Sequence, residues 1–171
     1  VATAREGDAL VLWLRAADVA ALSRAPAPAA DIFVSGLMAG LEHAPLPSAW
    51  RARALMSYPF DLPQARRVRM NFPYGWFRVQ HIALTAERVQ TDTYLACQIL
   101  SETLGHMLDS FVRDFLLERM ELMASKRLVN AYYPRLGLAP GQRFASKGGY
   151  LVRFPEPEGS ALQADGDWMV P

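Results

Sequence analysis

The chain has 171 residues, 51% of them apolar, and a formal net charge of +1. That length suits one domain or a little more, with enough apolar material for a sizeable core. The near-zero charge argues against a nucleic-acid binder held by phosphate contacts, the single cysteine, Cys97, excludes an intrachain disulfide or a multi-cysteine metal site, and no apolar run reaches membrane-spanning length.

The segment Val1 to Gly7 lacks both an initiator Met and the charged-then-apolar layout of a signal peptide, so the chain reads as processed or excised from something longer. Asp8 to Leu14 is a continuous apolar run, the signature of a buried strand in a parallel sheet. A short helix over Ala16 to Arg24 and a proline-rich loop over Ala25 to Ala30 follow, then a strand over Asp31 to Ser35 closed by Gly36. The opening is therefore β-α-β, with a right-handed crossover. Gly36 to Gly40 reads as a flexible stretch at a strand's carboxyl end, the edge where open α/β sheets bind ligands.

Pro45 and Pro47 make a loop toward Trp50, and Ala52 to Tyr58 is a third strand stopped by Pro59. Asp61 caps a helix expected to run to about Phe72, with Arg66, Arg67 and Arg69 on a wet face, and Pro73 and Gly75 interrupt it. Tyr74 to Arg78 continues as a short helix or an extended arm. Thr85 is the expected cap of the strongest helix, Ala86 to Leu108, in which Tyr94, Cys97, Leu100, Leu104 and Met107 form one apolar stripe. Asp109 and Ser110 turn the chain into a second helix, Phe111 to Ser125, with Phe111, Phe115, Met120 and Met123 on one face, making a helical hairpin. A strand-like bridge over Leu128 to Leu138 leads to the turn around Pro140 and Gly141, then to a strand over Tyr150 to Phe154 and a last one over Asp167 to Pro171.

The turn bearing Pro140, Gly141, Phe144, Lys147 and Gly148, followed by the strand Tyr150 to Phe154, resembles the closing segment of type I periplasmic solute-binding proteins, the branched-chain amino-acid class of ABC-transporter receptors. Asp8 to Leu22, Ile32 to Gly40, Ala54 to Pro59 and the helix carrying Asp92, Thr93, Tyr94, Ala96, Leu100 and Leu104 match further motifs of that family in order and spacing. The resemblance covers nearly the whole chain but only the C-terminal half of the family's fold. It implies an α/β fold: a parallel-sheet, Rossmann-like lobe over residues 1–84, with crossing-back helices and C-terminal strands over 85–171 returning toward a first lobe. It further implies an extracytoplasmic, periplasmic receptor without a cofactor, closing two lobes by a hinge on a small polar or amino-acid-like ligand, a small molecule that it delivers to the membrane permease of an ABC transporter.

The ligand-binding candidates are Trp13, Arg15, Ser35, Gly36, Leu37 and Tyr58, all at the carboxyl ends of the three opening strands. Trp13 would stack on a ligand or belong to the core. Arg15 would grip a carboxylate or sit solvated in a loop. Ser35 and Gly36 offer a hydroxyl and a backbone N–H, or make an ordinary turn. Tyr58 would wall the site, beside Phe60 and Asp61. By position Leu37 falls where the family places a carboxylate for the ligand's α-amino group, and leucine supplies no oxygen; this departure argues against a zwitterionic amino acid. His43, His81 and His106 lack metal-ligand spacing, and Cys97 on an apolar stripe behaves as a small hydrophobe. No nucleophile–base constellation, phosphate loop or zinc motif occurs, which argues against an enzyme and against a flavodoxin-like reductase. The competing reading is a structural, interaction or sensor domain that keeps the fold without its ligand and self-associates as a homodimer.

Overall fold

The structure is a computed structural model describing residues 4–108, 111–126, 131–138, 141–142 and 144–170. Two compact units divide the chain: residues 1–63 with 148–171, and residues 64–147. The boundary expected at 84/85 gives way to these two because the C-terminal strands pair back onto the opening ones.

The first unit is built on a mixed five-stranded sheet in sequential order: β1 (Ala9–Leu12), β2 (Asp31–Ser35), β3 (Ala54–Tyr58), β4 (Tyr150–Arg153) and β5 (Gln163–Ala164). β1, β2 and β3 run parallel, and β4 and β5 run antiparallel to their neighbours. The strands at Leu10, Phe33 and Leu55 thus lie side by side and point the same way. β4, expected to return toward a first lobe, instead extends this sheet. The last strand expected, Asp167 to Pro171, is reduced to a bridge between Gly149 and Met169, and β5 lies earlier; Pro171 is outside the described residues.

Pleating sorts the strands into two faces. Register aligns Leu12, Val34, Met56 and Val152 in one row across four strands, each at most 4% exposed. Burying side chains of this size contributes about 1.5–3 kcal/mol each. Right-handed crossovers between sequential parallel strands place both connections on one face of the sheet. The first connection is α1 (Ala16–Ala20) with a 3-10 turn over Ala21–Arg24. The second holds α2 (Gly36–Ala39), a 3-10 turn over Leu41–His43, and α3 (Ser48–Arg51). Trp50, fully buried on α3, donates its indole N–H to the Ala25 carbonyl at 3.1 Å and so ties the two connections together. Arg51 is also buried. It donates to the carbonyls of Gly159 at 2.6 Å and Ala44 at 3.3 Å, and its guanidinium lies 4.4 Å over the Phe154 ring.

The stretch expected to be flexible, Gly36 to Gly40, is helix α2, ended by Gly40 at a left-handed φ of 104°. A Cβ on Gly36 would run into the Ser57 carbonyl oxygen, with Met56 Cγ at 3.2 Å. Glycine is what lets α2 begin directly against β3.

The second unit is helical: α4 (Pro63–Val79), α5 (Glu87–Met107) and α6 (Arg113–Lys126), with α5 and α6 packed on each other. α4 does not stop at Pro73, which is buried inside it. Thr85 is not the cap of α5. The Gln90 side chain instead accepts from the N–H groups of Thr85 and Ala86, both at 2.8 Å, and donates to the Ala83 carbonyl. The buried face of α5 also differs from the expected stripe. It carries Thr91, Leu95, Thr103 and Met107, while Cys97, Leu100 and Leu104 are exposed. Thr91 and Thr103 can be buried because their hydroxyls donate to the carbonyls of Glu87 and Ile99, four residues back. On α6, Phe115, Met120 and Met123 are half-buried as expected, but Phe111 precedes the helix and is exposed. No strand forms over residues 131–138; the turn at 109–110, residues 128–130 of the expected bridge, and Pro140 lie outside the described residues.

Candidate functional site

The row next to the buried one faces the other side of the sheet. Ser35 pairs with Ser57, and Ser57 with Leu151, with Trp13 one residue beyond the end of β1. This row lines a pocket of about 500 Å³ that lies wholly within the first unit. Leu37 and Met38 of α2 line it from the carboxyl ends of the parallel strands, with Tyr58 and Pro59 from the end of β3. Gly148, Gly149 and Tyr150 contribute from the start of β4, and Met169 and Val170 from the C-terminal segment. Trp13 is 73% exposed and Leu37 55%, so the pocket's rim is open to solvent.

The C-terminal side of the pocket depends on close backbone approach. Gly149 and Met169 exchange two N–H to carbonyl hydrogen bonds, both 2.9 Å. Gly148 has a φ of 86°, and a Cβ there would strike the Met169 carbonyl and the Trp168 indole. Glycine satisfies both demands. Tyr150 meets Trp168 edge-on, with ring centroids 5.1 Å apart.

Of the six sequence-derived candidates, Trp13, Ser35, Leu37 and Tyr58 line this pocket; Arg15 and Gly36 do not. Arg15 points into solvent, 80% exposed, with its Nε 3.5 Å from Asp18 Oδ2. Its position just before α1 directs it along that helix rather than across the strand ends. Gly36 is buried and is a packing residue, for the steric reason given above. Tyr58 is fully buried and donates its hydroxyl to Glu42 at 2.9 Å, so its polar end is already engaged. Asp61 is buried and accepts the Leu62 N–H at 3.0 Å. Sequence reading missed Ser57, although period two from Ser35's neighbour strand was available to find it. It also missed Met38, Pro59 and the whole C-terminal contribution.

A second polar cluster lies in the helical unit. Tyr132 donates to Glu87, and Tyr74 is hydrogen-bonded to the same carboxylate. Burial first, and then Glu87, push both phenols well above their ordinary range. Arg66, expected on a wet face, is buried with its guanidinium 4.3 Å over the Tyr132 ring. Arg69 Nη1 donates to the Tyr133 carbonyl at 3.3 Å. Tyr133 is pushed up to about 12 by burial and by Asp92, while burial raises Asp92 itself. These contacts fasten residues 132–133 to α4 and α5.

Among the described residues no group of three or more His, Cys, Asp or Glu gathers in a way that would hold a metal ion, and His43, His81 and His106 are all exposed. No helix among them is long and apolar enough to cross a membrane.

No protein-family model, curated protein or solved structure matches this chain.

Proposed function

We propose that the sheet-bearing unit is a ligand-binding lobe of a solute receptor of the type I periplasmic class. The observation that carries this reading is the position of the pocket. It lies at the carboxyl ends of three parallel strands, where α/β sheets of this kind take their ligands. Trp13, Ser35, Leu37, Ser57 and Tyr58 reach it from three consecutive strand ends or the residues next to them. A small molecule docks on this face, and a second lobe closes over the exposed rim because it contacts ligand only in the closed state. A receptor of this kind works outside the cytoplasm and hands its ligand to the permease of an ABC transporter.

The test is a thermal-shift screen of the full chain against small acids, amides, alcohols and amino acids. A ligand present at a hundred times its Kd stabilises by about 2.7 kcal/mol, which raises the melting temperature of a chain this size by roughly 5–10 °C. Trp13→Ala removes that shift. A screen in which no compound raises the melting temperature refutes the receptor reading.

The exposed stripe of Cys97, Leu100 and Leu104 on α5 favours a second reading, an interaction domain that pairs with its own kind. Light scattering separates the two: a concentration-dependent dimer supports pairing, and a monomer at high concentration rules it out.

A further inference from the structure

We propose that the pocket selects an uncharged ligand, an amide, ketone or alcohol with an alkyl or aryl body, over carboxylates, amines and zwitterions. This inference rests on the receptor reading and specifies its ligand class. No Asp, Glu, Lys, Arg or His is among the described lining residues. The one cation that sequence placed at this edge, Arg15, turns away and pairs with Asp18. A charged ligand would leave water for a surface that offers it no counter-charge, and that transfer is strongly unfavourable.

What the lining does offer is neutral hydroxyls among apolar side chains: the Tyr150 phenol and, on the sheet, a pair of serines. Ser35 and Ser57 are register partners on adjacent strands, on the same face of the sheet. Neighbouring strands lie about 4.8 Å apart, so two such hydroxyls converge on one acceptor between them. A carbonyl oxygen has two lone pairs and accepts from both; a ligand hydroxyl accepts from one and donates to the other. Tyr58 is not in competition, because its hydroxyl is held by Glu42. Trp13, Leu37, Met38 and Leu151 surround the pair with apolar surface, and the exposed Trp13 indole supplies a flat face for an aryl or alkyl body. At about 500 Å³ the space is within the ordinary range for small-molecule sites.

The experiment is isothermal titration of the full chain at neutral pH with five probes of similar size: benzamide, benzyl alcohol, benzoate, benzylamine and phenylalanine. Benzamide and benzyl alcohol bind at least about tenfold more tightly than the three charged probes. Ser57→Ala and Ser35→Ala each weaken benzamide by up to about tenfold, the worth of one hydrogen bond, and Trp13→Ala weakens all binding. Circular dichroism melts of the three variants stay close to that of the parent chain, since Trp13 and Ser57 are exposed and Ser35 is only half-buried. If benzoate, benzylamine or phenylalanine binds as tightly as benzamide, and Trp13→Ala abolishes it, the neutral-ligand inference is overturned while the receptor reading stands. If none of the five binds at millimolar concentration, and the wider screen of acids, alcohols and amino acids is also silent, both fall.

Discussion

Replacing Gly36 by alanine adds one methyl group where α2 starts close against β3. The new Cβ would sit roughly an ångström inside the ~3.5 Å separation that carbon and oxygen prefer, against the backbone oxygen of Ser57, with Met56 Sδ at 3.3 Å behind it. Met56 can rotate; the Ser57 carbonyl belongs to the central strand and moves only with β3. The cost should reach the upper end of the overpacking range, about 3 kcal/mol, which lowers the melting temperature of a chain of this size by roughly 6–12 °C. Gly75 is the control. It lies inside α4, and a Cβ there meets nothing within 4 Å. Gly75→Ala therefore gains the helix propensity of alanine, about 1 kcal/mol, and melts roughly 2–4 °C higher. Differential scanning calorimetry of both variants reads the contrast. If Gly36→Ala melts within about 2 °C of the parent, or if the two shifts share a sign, the close approach of α2 to β3 is wrong.

Arg51→Met removes two charge-assisted bonds, to Gly159 and Ala44, and the contact with Phe154. It should destabilise by about 2–4 kcal/mol in urea unfolding, and an unchanged midpoint would show that the buried guanidinium contributes nothing net. Trp13→Ala, at a largely exposed site, should change stability by less than about 0.5 kcal/mol; a larger loss would place Trp13 in the core. Tyr133 should ionise near 12 rather than the ordinary 10. Because its folded pKa is raised, its contribution to stability is complete below pH 10 and is lost as pH climbs from 10 toward 12. Ultraviolet titration should show Tyr133 ionising near 12, below the still higher Tyr74 and Tyr132, and Tyr133→Phe should remove that step and flatten the alkaline fall in stability; absence of the step would mean that Tyr133 is neither buried nor held against Asp92.

The three parallel strands were legible because each is a short apolar run ended by Gly, Pro or a polar residue, and strand ends are where binding residues were sought. That rule reached Trp13, Ser35, Leu37 and Tyr58. It could not reach Gly149, Tyr150, Leu151 or Met169, because their place beside β3 follows from a pairing across almost a hundred intervening residues, which leaves no local pattern. Pro73 misled because a proline reads as a helix stop, whereas burial of that ring within α4 outweighs its missing N–H. The α5 stripe misled because Thr91 and Thr103 count as polar in a pattern, although each hydroxyl is satisfied by its own helix. Arg66 misled likewise: a guanidinium over an aromatic ring can be buried, and nothing local announces the ring.

The helical unit is spliced into the sheet-bearing unit between β3 and β4. A nascent chain therefore emerges from the ribosome with its three parallel strands exposed along the β3 edge, and the hydrogen-bonding partner for that edge, β4, is synthesised only after the whole helical unit. Tyr58 and Pro59 must wait for Gly149 to complete their side of the pocket. Any premature stop upstream of residue 148 would leave a sticky strand and half a cleft, so the cell can acquire a competent pocket only once the helical unit and the segment through Val170 have been made.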